Sequence, residues 1–421
     1  MSDTFTDSPP PAAIATDPAA RLAAGLRQAA PILAARAADV DAQGRFPHES
    51  LHTLHEVGLL DVGLSVERGG VGFGRTLPFA HYFDAVWTLA RACSNTAQLF
   101  TVQTGALFSI ELLRDDALTD RIAHDVRTQG ASFCFTAAEP DERFTHDNKR
   151  INIKSYAQPL ADGRWRIRAE KAFATGSVGA AYVLFQCAVV AGPDDAAADA
   201  GRPPQAVLVV LPRNHPAVQV HDTWDGIGQR ATGSGKLVVD ETVVDARQIV
   251  GNPAGVPQAA IFAPFYQLGF AAILAGIGEA ALDDTLAFVH GRQKPTHGYA
   301  RAADEPAVQA HVADVRIALS ASRALIGEAA RQMDAFTRGG ADIGDVLVAV
   351  YQAKVHASAS AIEAGTRLFQ IGGARSATRH VAADRHWRNA RTLSLHDSVD
   401  KQKGIVARAV LGVERPNVST R

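Results

Sequence analysis

Three histidines near the N-terminus have a spacing that could place metal ligands on one face of a helix. His48, His52 and His55 follow Phe46-Pro47, and proline suits the first turn of a helix. Histidines on the face of a surface helix are more often solvated than metal-bound, so we expect no metal site here. The cysteines at 93, 134 and 187 form no CxxC pair, so neither a thiolate metal site nor a disulfide framework is predicted.

The glycine-rich segments do not match known phosphate-binding motifs. Gly70-x-Gly72-x-Gly74 lacks the dinucleotide spacing and does not follow a strand. Gly233-Ser-Gly-Lys236 lacks the first glycine of a phosphate-binding loop, and a leucine stands where that loop needs serine or threonine. No GxSxG nucleophile motif is present either. The chain therefore shows no site of its own for NAD(P)H.

The hydrophobic periodicity divides the chain into a tail and three domains. Residues 1–21 are interpreted as a disordered tail, and residues 22–130 are helical in pattern. Residues 131–250 contain short β-branched runs, and residues 251–421 return to long amphipathic helices. We predict an α+β multidomain fold, because a regular βαβ alternation is absent.

The charge balance excludes several partners. Lysine and arginine number 42 against 44 acidic residues, which gives a net charge of −2 and favours neither nucleic acid nor an anionic membrane surface. The most apolar stretch, residues 268–277, is about half the ~20 residues that span a bilayer. The N-terminal segment lacks a basic region followed by an apolar stretch, so we expect a cytoplasmic protein without a membrane partner.

Several segments, in one consistent order, resemble the acyl-CoA dehydrogenase-like flavoproteins. The resemblance spans about residues 22–415 and rests on these segments: Phe46-Pro-His-Glu-Ser-Leu, Gly69-Gly-Val-Gly, Phe133-Cys-Phe-Thr136, Lys171-Ala-Phe-Ala-Thr175-Gly-Ser, Asp225-Gly-Ile-Gly-Gln-Arg-Ala-Thr-Gly-Ser234, Phe369-Gln-Ile-Gly372-Gly373-Ala-Arg375 and Arg388-Asn-Ala-Arg391. It implies an N-terminal helical domain, a central β-barrel or sandwich domain and a C-terminal four-helix bundle, assembled as a homotetramer.

The segment Arg391-Thr-Leu-Ser-Leu-His396-Asp397 is similar to the flavin-dependent monooxygenase branch of this superfamily. Common acyl-CoA dehydrogenases carry a Tyr-Glu-Gly segment here, whose glutamate removes the substrate α-proton. In the monooxygenase branch the histidine faces the flavin, and imidazole can accept or donate a proton beside a flavin C4a-(hydro)peroxide. Two alternatives stay open. Asp397 could serve as a dehydrogenase base, and His396 could be a hydrogen-bonded core histidine.

The resemblance also implies flavin contacts. Expected near the isoalloxazine ring are Thr136, Thr175, Trp224 and Ser234, and expected near the phosphate, partly from a neighbouring subunit, are Arg292, Lys294, Gly372, Gly373 and Arg375. For each of the ring residues, ordinary strand or core packing is the alternative, and for Arg292 and Lys294 it is a solvated surface charge.

We therefore predict the oxygenase component of a two-component monooxygenase. It would take reduced FMN from a separate NAD(P)H-dependent flavin reductase, in a transient encounter, and use O2 to oxygenate a small organic molecule. The alternative is an acyl-CoA dehydrogenase or flavin oxidase with tightly bound FAD.

Overall fold

The computed structural model describes residues 17–114, 116–144, 150–190, 205–291 and 298–417. Helices form the first and last thirds of this part of the chain, and strands form the middle third, as the periodicity predicts. The helices are α1 (Pro18–Gln43), α2 (His48–Glu56), α3 (Phe79–Ala92), α4 (Ser94–Leu113), α5 (Ala117–Gln129), α6 (Phe262–Gly291), α7 (Pro306–Thr337), α8 (Ile343–Gly372), α9 (Asp384–Ser394) and α10 (Val399–Val410).

The N-terminal domain is built around α4. Eighteen consecutive residues of this helix, from Ser94 to Glu111, are buried, because α1 and α3, the sheet and α6 surround it. Asp17 and Asp116 begin α1 and α5, where each carboxylate accepts a hydrogen bond from a first-turn amide. Both helices end at a glycine in the left-handed conformation. These terminal signals are local, so the boundaries follow directly from the sequence.

The central domain consists of one mixed sheet and a short two-stranded ribbon within the described residues. The strands are β1 (Phe133–Thr136), β2 (Arg143–Phe144), β3 (Arg150–Ile151), β4 (Tyr156–Pro159), β5 (Trp165–Ala174), β6 (Tyr182–Val189), β7 (Ala206–Pro212), β8 (Val218–His221), β9 (Gly235–Val244) and β10 (Ile249–Gly251). The sheet has the order β10-β7-β6-β4-β5-β9-β8, and β1 pairs in parallel with β6.

Helix α6 is the central helix of the C-terminal domain. It packs against α7, α8 and α9 and also against α3 and α4 of the N-terminal domain. The segment from Pro257 to Gly291 is long and apolar enough to cross a membrane by composition, and 72% of its most apolar window is buried inside the fold. Burial on all sides explains why this helix is apolar all round.

The loop between β8 and β9 joins the central sheet to α9. Gly228 lies so close to this helix that an added Cβ would be 2.1 Å from the Arg388 carbonyl oxygen. The Arg388 side chain donates to the Ile227 carbonyl and forms an ion pair with buried Asp41 of α1 at 2.6 Å. The Asp225-Gly-Ile-Gly segment is therefore the place where the three domains meet.

Candidate functional site

His396 lies in the short turn between α9 and α10. The turn is fixed at both ends: the His396 amide donates to the Leu393 carbonyl, and the Ser398 hydroxyl accepts a hydrogen bond from the Lys401 amide at the start of α10. Asp397 between them has a positive φ of 59°, a left-handed conformation that aspartate tolerates better than most residues. This turn holds His396 in a defined place beside α6.

The imidazole of His396 is accessible to solvent although many protein atoms surround it. Its ring centroid lies 4.1 Å from that of Phe270 on α6, and the residue as a whole is exposed, as expected for the wall of a cleft. The crowded surroundings, and after them the nearby Lys354 ammonium, lower the pKa of His396 to about 4, although Asp397 partly opposes the shift. The imidazole is therefore neutral at physiological pH.

The Asp397 carboxylate is bound by groups from its own turn and from α10. One oxygen accepts from the Ser398 amide at 3.0 Å and lies 3.5 Å from the Lys401 ammonium. The other accepts from the Gln402 side chain at 3.3 Å, and Gln402 also donates to Gln267 of α6. These contacts direct the carboxylate toward the start of α10.

Lys354 of α8 is a residue of this site that our sequence reasoning missed. Its side chain is fully buried, and its Nζ lies 3.4 Å from the His396 carbonyl oxygen. Burial lowers the pKa of Lys354 from 10.5 to about 8, with partial opposition from Asp397. The signal in the sequence is a lysine four residues after Val350, on the face of α8 that the apolar period assigns to the core.

Two of the predicted ring contacts, Thr175 and Ser234, are brought together. Their hydroxyl oxygens are 2.9 Å apart, and Thr232 adds a third hydroxyl 2.7 Å from that of Ser234. Thr136 is buried in β1 nearby, where its hydroxyl donates to the Ala172 carbonyl at 3.1 Å. The end of β5 and the start of β9 thus present a small cluster of hydroxyl groups.

Trp224 stands at the edge of the same region. Its indole Nε1 donates to the Gln229 carbonyl at 2.8 Å, and its ring meets that of Phe173 edge-on with centroids 6.3 Å apart. Phe173, two residues before Thr175, is 67% exposed and has a positive φ of 52°. An exposed phenyl ring beside a half-buried indole forms an apolar rim next to the hydroxyl cluster.

Gln229 connects this region to all three domains, and sequence reasoning missed it too. Its side chain binds Ser94 and Gln98 of α4, with the closest contacts at 2.8 Å. Its backbone amide donates to Asn389 of α9 at 2.6 Å, and Gln98 reaches the Thr175 hydroxyl at 3.4 Å. The network is buried, so each group in it depends on the others for its hydrogen bonds.

The predicted phosphate contacts lie apart from His396 in the single chain. Gly372 ends α8, Gly373 follows with a positive φ of 61°, and Arg375 is exposed. Eighteen residues of α8 separate Gly372 from Lys354, which is about 27 Å at the rise of an α-helix. The predicted phosphate contacts therefore lie at the opposite end of this stretch of α8 from the contact between Lys354 and His396. Arg292 and Lys294 lie outside the described residues.

Within the described residues, no group of three or more histidine, cysteine or acidic side chains has a geometry that could hold a metal ion. His48, His52 and His55 line a shallow pocket together with residues from the start of the central domain.

The fold and these features define the acyl-CoA dehydrogenase-like superfamily, to which the chain belongs. The N-terminal domain of acyl-CoA dehydrogenase matches residues 26–121, and the C-terminal domain matches residues 268–401. The chain is 28% identical over 400 residues to a probable FMNH2-dependent monooxygenase, SfnC, of Pseudomonas putida, covering 93% of this chain and 94% of that one. It is 27% identical over 398 residues to the dibenzothiophene monooxygenase of Rhodococcus erythropolis, covering 91% of each.

Among solved structures, FMN-bound TdsC from Paenibacillus sp. A11-2 superposes with a TM-score of 0.84 at 24% identity, covering 95% of this chain and 99% of that chain. Within the superfamily, these relatives place the chain in the flavin-dependent monooxygenase branch, as the segment around His396 predicts. The expected order of helical, sheet and helical domains is confirmed, with a single curled sheet as the central domain.

Proposed function

We propose that the chain is the oxygenase component of a two-component flavin monooxygenase that uses reduced FMN and O2 to oxygenate a small organic molecule. Two features of the structure fit a flavin ring. The hydroxyls of Thr175 and Ser234 can donate to its polar edge, and the Trp224 indole can cover its face. In addition, the buried Thr392 hydroxyl, four residues before His396, has no hydrogen-bond partner among the described residues, so it is available to a ligand.

One observation favours this function over the acyl-CoA dehydrogenase alternative. The Asp397 carboxylate is tied to α10 by three groups, whereas the His396 imidazole is accessible and neutral. A base that removes an α-proton needs a free carboxylate oxygen aimed at the substrate. A neutral imidazole can instead give and take hydrogen bonds without adding charge to the site.

When bound, reduced FMN supplies the electrons that activate O2. In this proposal the chain contributes three functions: Thr175 and Ser234 orient the ring, Trp224 and Phe173 exclude water from it, and His396 accepts or returns a proton at its own ring nitrogen. We propose that a separate NAD(P)H-dependent reductase reduces the flavin in a transient encounter, which agrees with the lack of a visible NAD(P)H motif in the sequence.

The phosphate site requires a second copy of the chain in this proposal. Gly372 lies about 27 Å along α8 from Lys354, and Gly373 and Arg375 follow it directly, so in this proposal they serve a flavin bound to a neighbouring subunit. We therefore propose a homotetramer, as the resemblance implies. Three buried, free cysteines suit the reducing cytoplasm, where we propose that the protein works.

The proposal is tested with His396→Ala and Asp397→Asn in single-turnover experiments. Reduced FMN is bound anaerobically and mixed with O2, and the return of oxidised flavin absorbance and the release of hydrogen peroxide are followed together. Loss of the imidazole should speed peroxide release by about 10²-fold or more, while Asp397→Asn should have a small effect.

The opposite pattern supports the alternative. If the purified protein holds FAD, an acyl-CoA bleaches it and Asp397→Asn alone abolishes that bleaching, then the chain is a dehydrogenase. Organosulfur compounds are the first substrates to test for oxygen transfer, because a relative that is 27% identical over 398 residues is a dibenzothiophene monooxygenase.

A further inference from the structure

The buried ammonium of Lys354 sits at the junction of two helix ends. Helix α9 ends at Ser394, and the chain then turns through His396 and Asp397 into α10, which begins at Val399. The carboxyl end of a helix carries partial negative charge and the amino end partial positive charge. Lys354 contacts the carbonyl of His396, two residues after the end of α9, and Asp397 accepts from the amide of Ser398, the residue just before α10. Each charge therefore complements the helix end that it contacts.

Lys354 has few partners for a buried cation. Its Nζ contacts the His396 carbonyl at 3.4 Å, and among the described residues no carboxylate lies within 4.0 Å of it. Asp397 is near enough to interact through space, but its oxygens are held by Ser398, Lys401 and Gln402. An unpaired buried charge is costly, and it is seldom placed where a methionine or leucine would pack equally well.

The groups that face the His396 imidazole come from several elements. Helix α8 contributes Lys354, the turn itself contributes Asp397, and α6 contributes the apolar ring of Phe270. Lys401 of α10 contacts Asp397 in turn. A nearby positive charge disfavours protonation of the imidazole, and a nearby negative charge favours it. Among these groups, Lys354 is the one whose positive charge disfavours protonation of the His396 imidazole.

We propose that Lys354 is a positioning residue for His396: its buried ammonium holds the α9–α10 turn through the His396 carbonyl, and its charge keeps the neighbouring imidazole neutral. The proposal deepens the proposed function, since it assigns a partner to the residue placed beside the flavin. It concerns this chain's own groups, so it can be tested without flavin, substrate or oxygen.

The test measures the titration of His396 in the purified full-length protein. Diethyl pyrocarbonate acylates only neutral imidazole, and the His396 peptide is resolved from those of the other histidines by mass spectrometry. The rate for wild type at pH 5 should remain about nine-tenths of its value at pH 7, since the pKa of His396 is about 4. In Lys354→Met that pKa should rise, and the expected result is a rate at pH 5 that falls to about half of the pH 7 value or less.

Lys354→Gln separates the two parts of the proposal, because glutamine retains an N–H donor but carries no charge. It should raise the pKa of His396 as methionine does. Lys403→Met is the matched control: Lys403 is an exposed lysine of α10 whose ammonium lies 3.6 Å from Asp400, and its loss should leave the His396 titration unchanged. Near-UV circular dichroism establishes that each variant is folded.

The possible outcomes distinguish a failure of the role of Lys354 from a failure of the proposed function. An unchanged His396 titration in both folded Lys354 variants would overturn the role of Lys354, whatever the enzyme does. A shifted titration, together with normal oxygen transfer in His396→Ala, would retain the coupling of Lys354 to His396 while removing His396 from the reaction. An equal shift in Lys403→Met would also refute the proposal, since a general change in surface charge would then explain it.

Discussion

Replacing Lys354 by methionine should make the protein more stable at neutral pH. Burial lowers the pKa of this lysine from 10.5 to about 8, so the folded state disfavours its charged form. At 1.36 kcal/mol for each pKa unit, this corresponds to a destabilisation of about 3 kcal/mol at pH 7. Methionine has a similar length, removes that cost and loses one hydrogen bond of about 1 kcal/mol. The net expectation is a stabilisation of about 2 kcal/mol.

The difference in stability between Lys354→Met and wild type should depend on pH. The destabilisation by Lys354 is fully present below pH 8, where the lysine is protonated in both states. It decreases as the pH rises from 8 to 10.5, because the folded state has then already lost the proton, and it is absent above that range. The advantage of Lys354→Met should therefore shrink between pH 8 and 10 and then vanish or reverse.

The assay compares the guanidinium midpoints of wild type, Lys354→Met and Lys403→Met by tryptophan fluorescence at pH 7.0 and pH 9.5. The exposed Lys403 variant should stay within about 0.5 kcal/mol of wild type at both values. A Lys354→Met protein that is less stable than wild type by 2 kcal/mol or more at pH 7 would refute the reasoning. The ammonium would then be well solvated or paired in the folded state.

Two further substitutions test the phosphate segment and the domain junction. Arg375→Ala should weaken reduced FMN binding by about 10- to 100-fold in an anaerobic titration, because a charged donor to the phosphate is lost, and unchanged affinity would remove Arg375 from the site. Gly228→Ala should destabilise the protein by at least ~2 kcal/mol, since the new Cβ would lie 2.1 Å from the Arg388 carbonyl oxygen. The control for this variant is Gly327→Ala in α7, where an added Cβ meets no backbone, and it should stabilise the protein by up to ~1 kcal/mol. Equal shifts in melting temperature for Gly228→Ala and Gly327→Ala would contradict the packing argument.

The parts of the fold that sequence predicts best are those set by local signals. The helix ends at Asp17 and Asp116 and the long apolar faces of α7 and α8 are readable one element at a time. The candidate site is different, because its less obvious members depend on contacts between domains. A lysine within a helix is ordinarily solvated, whereas Lys354 is fully buried and contacts the α9–α10 turn. No local pattern contains that turn and α8 together.

Gln229 is a second residue whose role cannot be predicted from the local sequence, in this case within a loop. It has a positive φ of 48° and is 1% exposed, although the sequence around it reads as an ordinary glycine-containing turn. Its conformation is held by hydrogen bonds to residues more than 130 positions away in the chain, on α4 and on α9. The glutamine side chain satisfies both partners on α4 at once, because its amide oxygen accepts from Ser94 and its amide nitrogen donates to Gln98, while its backbone amide donates to Asn389 of α9. The loop that carries Trp224 and Ser234 is thereby fixed from outside.

The last prediction follows from this arrangement. In Gln229→Leu the side chains of Ser94 and Gln98 lose buried partners, and a branched residue must occupy a left-handed backbone position. We expect a loss of about 3 kcal/mol in unfolding free energy, because two polar groups remain buried without their hydrogen bonds. We also expect weaker flavin binding, since the Thr175–Ser234 hydroxyls and Trp224 lose their common support.

Ser94→Ala, which removes one hydrogen bond at the same point, should cost about 1 kcal/mol and leave flavin affinity nearly unchanged. The His396 titration should not move in either variant, because the network reaches α9 at Asn389, before the turn. If Gln229→Leu binds reduced FMN as wild type does, the hydroxyl cluster is not the part of the site that holds the ring.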